Sequence, residues 1–400
     1  MRLALTLPDR ALLVDAFTQI TARQILMLSA GFLFCVGLIM VGSASMGVAE
    51  ASFGSPFFFF TRHLIYLCIG LIAAAITLQI PMQQWQRWSP MLLIAAYLLI
   101  IIVLVPGIGR RINGSMRWIG VGGLTVQPSE LAKLATIVFL AGYLVRRQDE
   151  IRTRWSGFFK LGAVVGSVVF FLLLEPDFGA SLVVIVAVMS MLFLAGAPLG
   201  HFITMSASVL AAGIVVMIAE PYRMKRLLAF TDPWADQYDT GYQLVQSLIA
   251  FGRGDWFGVG LGHSVQKLFY LPEAHTDFVF AVFGEEFGLL GVLVLLSAFM
   301  ALVLAALRIA RRAEGAGQLF SAYVGYGLAM MIGFQAAVNI GVNIGFFPTK
   351  GLTLPLVSYG GSSLVMVFVV LAILLRIDAE SGEVQERVAR RPAGGIHAAG

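Results

Sequence analysis

Long apolar runs alternate with short polar segments along almost the whole chain. Each run is close to the roughly 20 residues that a helix needs to cross the hydrocarbon core of a bilayer. Helices fit these continuous runs because a backbone in lipid must satisfy its own polar groups, whereas a β-barrel needs shorter, alternating segments. The pattern predicts an all-α polytopic membrane protein with about ten transmembrane helices, at about 24–42, 60–80, 91–106, 129–145, 158–175, 178–195, 200–219, 278–307, 316–343 and 353–376.

The polar segments divide the chain into three regions. Residues 1–23 form an N-terminal segment, 24–376 the membrane domain, and 377–400 a polar, Gly- and Ala-rich tail that we predict to be disordered. One connection, residues 220–277, is far longer than the others and joins the seventh and eighth predicted helices. Prolines mark the expected helix ends, where a missing N–H costs least; these are Pro81, Pro90, Pro106, Pro128, Pro176 and Pro198.

The composition supports lipid as the main solvent. Hydrophobic residues make up 59% of the chain and charged residues 12%, against about 25% charged in a typical soluble domain. Both cysteines, Cys35 and Cys68, fall inside apolar runs, which leaves no disulfide framework or cysteine metal site. The sequence has no phosphate-binding loop, HExxH or Gly-x-Ser-x-Gly motif, which argues against nucleotide-driven transport and the corresponding hydrolases.

Basic residues predict the orientation and a cationic site. Cytoplasmic loops of membrane proteins are enriched in Lys and Arg. If the N-terminus is inside, most of the basic residues in the connecting segments lie on the cytoplasmic side, so both termini are predicted to be cytoplasmic. The basic residues left outside fall in only three segments, which favours a binding site for an anionic ligand at the outer face over ordinary solvated loop charge. They are Arg110, Arg111, Arg117, Arg223, Lys225, Arg226, Arg253, Lys267 and Lys350.

An acidic and histidine-containing segment leads into the eighth predicted helix. Glu273, His275 and Asp277 lie within five residues of one another, after Pro272. Asp277 is expected in the first turn of the helix, where the helix dipole favours an ionised carboxylate. An ionised carboxylate at the membrane surface could act as a general base. The alternative is that Asp277 only caps the helix, for which Asp is a preferred residue.

Two further features stand out inside the apolar sequence. Residues 343–363 contain two prolines and several glycines, and irregular backbone at membrane depth needs surrounding protein or a cavity. Lys350 is the only charged residue in this segment.

Within the predicted spans, Glu130 and Lys133 are three residues apart and can pair. Glu285 and Glu286 could form a proton relay of a transporter or structural ion pairs between helices, and we favour ion pairs.

Seven motifs occur in order and together resemble the SEDS family (shape, elongation, division and sporulation). The resemblance covers about residues 24–376 and implies the SEDS-type fold. The segment 348–352 is similar to the division-type members rather than the elongation-type members. The seven motifs are Gly114–Ile119, Gln127–Lys133, Glu175–Gly179, Tyr222–Arg226, Gly241–Ser247, Leu271–Phe278 and Pro355–Ser363.

The resemblance implies a reaction. Family members polymerise peptidoglycan from lipid II, a disaccharide-peptide on a polyprenyl pyrophosphate, into β-1,4-linked glycan with inversion at the donor sugar. Asp277 then corresponds to the essential aspartate, and fixed cations would stabilise the pyrophosphate leaving group. A weakly bound divalent cation such as Mg²⁺ could share that task. The expected substrate-binding residues are Arg117, Lys133, Arg223, Arg226, Gln246, Lys267, His275, Lys350 and Ser358.

The resemblance also implies partners and a location. The expected partners are lipid II, a class B penicillin-binding protein transpeptidase of FtsI type, other division proteins and membrane lipids, with no nucleic acid. The expected location is the bacterial inner membrane at the division septum, with the active site in the periplasm. Two alternatives use the same features, namely a lipid II flippase and a non-catalytic scaffold that activates a partner enzyme.

Overall fold

Helices form most of the chain in the computed structural model, which describes residues 21–112, 115–218, 230–348 and 351–389. A single π-helical turn, Gln266–Tyr270, lies in the long connection. The helices within the described ranges are α1 (Ala22–Phe53), α2 (Phe58–Gln79), α3 (Met82–Leu104), α4 (Pro128–Arg146), α5 (Gln148–Thr153), α6 (Trp155–Leu174), α7 (Phe178–Leu194), α8 (Leu199–Ile218), α9 (Tyr242–Gly254), α10 (Val279–Gly315), α11 (Leu319–Asn343) and α12 (Gly361–Ala389).

The polytopic helical fold predicted from the apolar runs is confirmed. Within the described ranges, 8 helices are long and apolar enough to cross a bilayer. Two shorter apolar helices, α7 and α8, coincide with the sixth and seventh predicted spans. Every predicted span therefore has a helix. The agreement follows from the physics of lipid, which leaves a spanning segment few alternatives to a helix.

The third span begins earlier than predicted, and Pro90 does not mark its end. Helix α3 starts at Met82, with Pro81 as its N-cap, and Pro90 lies inside it. A proline removes the N–H that would bond to the carbonyl four residues earlier, here Gln86. The Ser89 hydroxyl donates to that carbonyl at 2.9 Å. This replacement bond makes the internal proline tolerable.

The last helix differs from the prediction at both ends. Helix α12 begins at Gly361, because 351–360 is irregular, with Leu356 at a φ of 65°. It continues to Ala389, so the disorder predicted from residue 377 is wrong for the described part. Tertiary contacts explain the extension: Asp378 pairs with Arg312 at 2.9 Å, and Glu380 accepts from the Met82 N–H at 3.0 Å. Residues 390–400 lie outside the described residues.

A small antiparallel sheet joins α3 to α4 and was not predicted. It consists of β1 (Gly109–Ile112), β2 (Ser115–Val121) and β3 (Leu124–Val126), paired in that order. A tight turn at Gly122 and Gly123 connects the last two strands, with φ of 56° and 83° that favour glycine. Arg117 lies on β2, so the sheet presents one of the predicted substrate cations.

Helix α11 is the centre of the bundle. It is buried along nearly its whole length and packs against α10, α7 and α4. Helix α1 packs against α10, and α2 packs against α12. Side chains on α11 therefore reach several other helices at once.

Helix α10 is interrupted in its N-terminal part. Gly288 has φ 65° and ψ −168°, which breaks the helical hydrogen-bond pattern. The long connection fills the break: Leu289 N donates to Asp255 O at 2.9 Å, and Val259 N donates to Glu285 O at 3.0 Å. A Cβ at Gly258 would lie 2.2 Å from Glu286 O, so only glycine fits there. The connection is thereby joined backbone to backbone with the helix that follows Asp277.

Candidate active site

Asp277 lies in the turn that enters α10, and its backbone is held by α11. The helix begins at Val279 with Phe278 as N-cap, so Asp277 precedes the cap and does not fill it. The Asp277 carbonyl accepts from Asn339 Nδ2 at 2.8 Å and from Asn343 Nδ2 at 3.0 Å. Its side chain is half-buried. The simple helix-capping alternative for Asp277 is therefore wrong.

Burial controls the ionisation of Asp277. The pKa of its carboxyl is raised to about 7, mainly by loss of solvation and further by the negative charges of Glu273 and Asp177, while the positive charge of Arg117 opposes the increase. The expectation that a helix dipole would favour the ionised form is not met, because desolvation is the larger effect. A pKa near neutrality suits a general base, which must be partly deprotonated at the working pH and still hold a proton well.

Arg117 is fixed against the turn between α6 and α7. Its Nε donates to Glu175 O at 3.1 Å, and its Nη2 donates to Pro176 O at 2.5 Å. Its Nη1 lies 3.9 Å from Asp177 Oδ1. The predicted cation is thus held in a defined orientation and keeps donors to spare, since a guanidinium carries five N–H groups.

Two acidic side chains of the same turn behave differently. Asp177 Oδ2 accepts from Gln127 Nε2 and from Ser129 Oγ, both at 2.9 Å. The Glu175 carboxyl is fully buried and has no hydrogen-bond partner among the residues that the structure describes. Burial and the neighbouring charge of Asp177 raise the pKa of Glu175 to about 8. Glu175 is therefore mostly protonated at pH 7 and adds little negative charge beside Arg117.

Lys133 is buried inside the bundle and is paired as predicted. It is 2% exposed, its Nζ lies 2.9 Å from Glu130 Oε2, and it donates to Gln335 Oε1 at 2.8 Å. Gln335 in turn donates to Thr353 O at 3.1 Å. This cation is thereby joined to α11 and to the irregular segment before α12.

Glu285 and Glu286 form ion pairs, with partners in the long connection rather than in another spanning helix. Glu285 is fully buried and lies 2.9 Å from Arg253 Nη1. Glu286 lies 2.7 Å from Lys267 Nζ, and both groups contact the Ser43 hydroxyl. The ion-pair interpretation is confirmed. The charge of Lys267, a predicted substrate cation, is matched by Glu286.

Three other predicted binding residues lie near the site or in the long connection, and none of them carries a charge. His275 is buried between Phe59 and Tyr359, with ring centroids at 4.6 and 5.7 Å, and desolvation lowers its pKa. It is therefore a neutral side chain beside the site. Ser358 Oγ accepts from Leu354 N at 2.8 Å and shapes the turn before α12. Gln246 is half-buried on α9.

The irregular segment before α12 lies against Asp277. The two come close at Gly351, where a Cβ would be 3.1 Å from Asp277 Oδ2. The structure thus brings the Asp277 carboxylate close to Gly351 and within the electrostatic influence of Arg117. Lys350, Arg223 and Arg226 lie outside the described residues. Within the described ranges, no group of three or more His, Cys, Asp or Glu side chains could hold a metal ion.

Sequence reasoning missed the amides on α11. Gln335, Asn339 and Asn343 are four residues apart in an otherwise apolar helix, which places them on one face. Such side chains in membrane helices commonly form hydrogen bonds between helices. Their spacing was visible in the sequence and could have identified them.

Known proteins resemble the chain over most of its length. The family model FtsW/RodA/SpoVE, described as cell cycle protein, matches residues 23–383. A relative from Hahella chejuensis is 51% identical over 360 residues, 90% of this chain and 91% of that protein. One from Pseudomonas fluorescens is 54% identical over 346 residues, 86% of this chain and 85% of that protein. Both are named probable peptidoglycan glycosyltransferase FtsW.

Two solved structures share the fold. The rod shape determining protein RodA of Thermus thermophilus is 29% identical with a TM-score of 0.65, over 89% of this chain and 96% of that chain. A chain from a structure on the coordination of polymerization and crosslinking by a peptidoglycan synthase complex is 30% identical with a TM-score of 0.71. That match covers 88% of this chain and 97% of the other.

Proposed function

The chain belongs to the FtsW/RodA/SpoVE family of cell cycle proteins, and on that premise we infer that it is a peptidoglycan glycosyltransferase of the division type. The observation that carries the inference is about 50% identity to relatives of that name over about nine-tenths of the chain. The substrate is lipid II and the product a β-1,4-linked glycan strand. The flippase and scaffold alternatives are less favoured, because the relatives are named as transferases.

Asp277 is the general base of the proposed reaction. Its carboxylate takes the proton of the acceptor hydroxyl as that oxygen attacks the anomeric carbon of the donor sugar. The bond from that carbon to the pyrophosphate oxygen breaks, the polyprenyl pyrophosphate leaves with the bonding electrons, and the configuration inverts. Support comes from the position of Asp277 before α10 and from its pKa near 7, which leaves about half of it ionised at neutral pH.

Cations stabilise the leaving pyrophosphate in this proposal. Arg117 is rigidly held and acts electrostatically on Asp277, which supports a place for it at the reacting centre. Lys350 is assigned the same task because its neighbour, Gly351, lies against the Asp277 carboxylate. The alternative for Lys350 is that it only neutralises Asp277. Arg223 and Arg226 complete the proposed cationic surface, whereas Lys133 and Lys267 are engaged in ion pairs with Glu130 and Glu286 and do not contribute to it.

The test of the proposed function is polymerisation by the purified protein. The chain is reconstituted with lipid II, with and without its transpeptidase partner, and no second glycosyltransferase is present. Glycan polymer that forms in either sample supports the enzyme. Movement of lipid II across the bilayer without polymer would favour a flippase, and neither activity would favour the scaffold.

The proposed partner is a class B penicillin-binding protein of FtsI type within the division machinery. Its basis is the similarity to a chain of a peptidoglycan synthase complex. The candidate contact surfaces are the long connection and the eighth and ninth predicted spans. Helix α11, the ninth span, is buried along most of its length, so α10 and the connection offer the larger surfaces.

The proposed location is the inner membrane at the septum, with the active site in the periplasm. In a variant without Cys35 and Cys68, Tyr238→Cys in the long connection should react with an impermeant thiol reagent in cells with a permeabilised outer membrane. Tyr238 is 88% exposed, so access does not limit the reaction. The matched control is Arg147→Cys, exposed at the end of α4 on the predicted cytoplasmic side. Labelling of position 147 but not 238 would reverse the topology.

Removal of the Glu273 charge should move the pH profile of polymerisation. Glu273 raises the pKa of Asp277, so Glu273→Gln should lower that pKa. Asp277 would then stay ionised to lower pH, and the acid limb of kcat/KM should shift downward by up to about one unit. The control is Glu50→Gln, an exposed carboxylate at the end of α1 that is not among the groups acting on Asp277. An acid limb that moves upward or stays in place contradicts the electrostatic role of Glu273.

A further inference from the structure

Three amide side chains form a ladder along one face of α11. Gln335, Asn339 and Asn343 follow one another at intervals of four residues and are all buried. Gln335 accepts from Lys133 and donates to Thr353 O. Asn339 and Asn343 both donate to the Asp277 carbonyl. The ladder thus joins the buried cation, the segment before α12 and the turn that carries Asp277.

Asn343 replaces a helical hydrogen bond at the start of α10. If α10 extended back by one residue, the Asp277 carbonyl would accept from the Ala281 N–H. Instead Ala281 N donates to Phe278 O at 3.0 Å and to Asn343 Oδ1 at 3.1 Å, and Asn343 Nδ2 donates to Asp277 O at 3.0 Å. The amide of Asn343 therefore bridges the Ala281 N–H and the Asp277 carbonyl and joins both to α11. The Asn343 carbonyl also accepts from Ser247 Oγ at 2.7 Å, so the end of α11 is itself fixed.

Asn339 joins the same carbonyl to the segment opposite it. Its Nδ2 donates to Asp277 O at 2.8 Å and to Leu352 O at 2.5 Å. Leu352 follows Gly351, which lies against the Asp277 carboxylate. The Asn339 amide therefore sets the distance between the turn that carries Asp277 and the segment at Gly351 and Leu352.

We propose that Asn339 and Asn343 are positioning residues for Asp277, which they hold at the place where its carboxylate meets the acceptor hydroxyl. The proposal rests on the proposed role of Asp277 as the base. Two donors on one carbonyl restrict the Asp277 peptide more than a single bond would. In these buried surroundings the hydrogen bonds are strengthened by the low dielectric, and a lost partner is costly. A base has to stay within about 0.5 Å of its productive geometry, which a loop alone does not provide.

The experiment compares steady-state polymerisation by Asn339→Ala, Asn343→Ala and the double variant. A misplacement of about 1 Å can cost about 100-fold, so kcat should fall about 10-fold in each single variant and about 100-fold or more in the double variant. The KM for lipid II should change less than about threefold, because the amides touch the base and not the substrate. The control is Tyr326→Phe, which removes another side-chain hydrogen bond of α11, the part-buried one from Tyr326 to Glu314 at 2.7 Å.

The outcomes separate positioning from folding and from the proposed function. Rates are compared at equal amounts of monodisperse protein, and the single variants carry the test if the double variant does not fold. A kcat within threefold of wild type in both single variants, or a loss equal to that of Tyr326→Phe, overturns the proposal. If Asp277→Asn is inactive while the amide variants are fully active, only the positioning role fails. If Asp277→Asn is active, the assignment of the base fails.

Discussion

Asp277→Asn is expected to lower polymerisation of lipid II by about 100- to 10,000-fold while leaving membrane insertion intact, which is the usual loss for a positioned acid–base group. The substitution keeps the size of the side chain and removes its ability to accept a proton. The backbone contacts with Asn339 and Asn343 use the Asp277 carbonyl, so they persist in the variant. The measurement is the initial rate of polymer formation by purified protein at saturating lipid II.

A matched control makes the loss specific to position 277. Asp239→Asn carries the same exchange on an exposed residue of the long connection and should retain wild-type activity. Both variants are compared at equal amounts of folded protein in the membrane. Polymer made by Asp277→Asn at a rate near that of wild type would exclude Asp277 as the base.

Glu285→Ala is expected to destabilise the protein by about 3 to 5 kcal/mol, because a buried acceptor is removed from several donors at once. The carboxylate accepts from Ser264 Oγ at 2.5 Å and from the Val265 and Gln266 N–H groups at 3.1 and 3.3 Å. It also pairs with Arg253. Without it, the connection would keep its backbone bonds to the broken part of α10 but lose the side-chain attachment that Glu285 provides.

Thermal unfolding of the detergent-solubilised protein measures this effect. Glu285→Gln keeps one acceptor oxygen and should lose less stability than Glu285→Ala. Glu150→Ala removes another paired carboxylate, which lies 2.6 Å from the well-exposed Lys160 Nζ. Because an ion pair with an exposed partner contributes little to stability, this variant should change the unfolding temperature little. If Glu285→Ala and Glu150→Ala unfold at the same temperature, Glu285 does not anchor the connection.

Local patterns in the sequence were sufficient for the membrane helices and for one ion pair. A backbone in lipid must bond within its own segment, so apolar runs of bilayer length translate directly into helices. The pair of Glu130 and Lys133 is equally local, because residues three apart on a helix are neighbours. The prediction went wrong where distant contacts overrule local signals, as in the part of α12 after Arg376, where Asp378 pairs with Arg312 and Glu380 accepts from the Met82 N–H.

The sequence by itself determined that this protein crosses the membrane about ten times, which segments break the apolar pattern, and which aspartate precedes the eighth predicted span. Only the tertiary structure decided how that aspartate ionises and what holds it. Its pKa near 7 results from burial and from Glu273 and Arg117, and its carbonyl is bound by amides from α11, more than sixty positions further along the chain. Such contacts depend on how the helices pack together, and no periodicity within a single segment specifies which distant groups will meet.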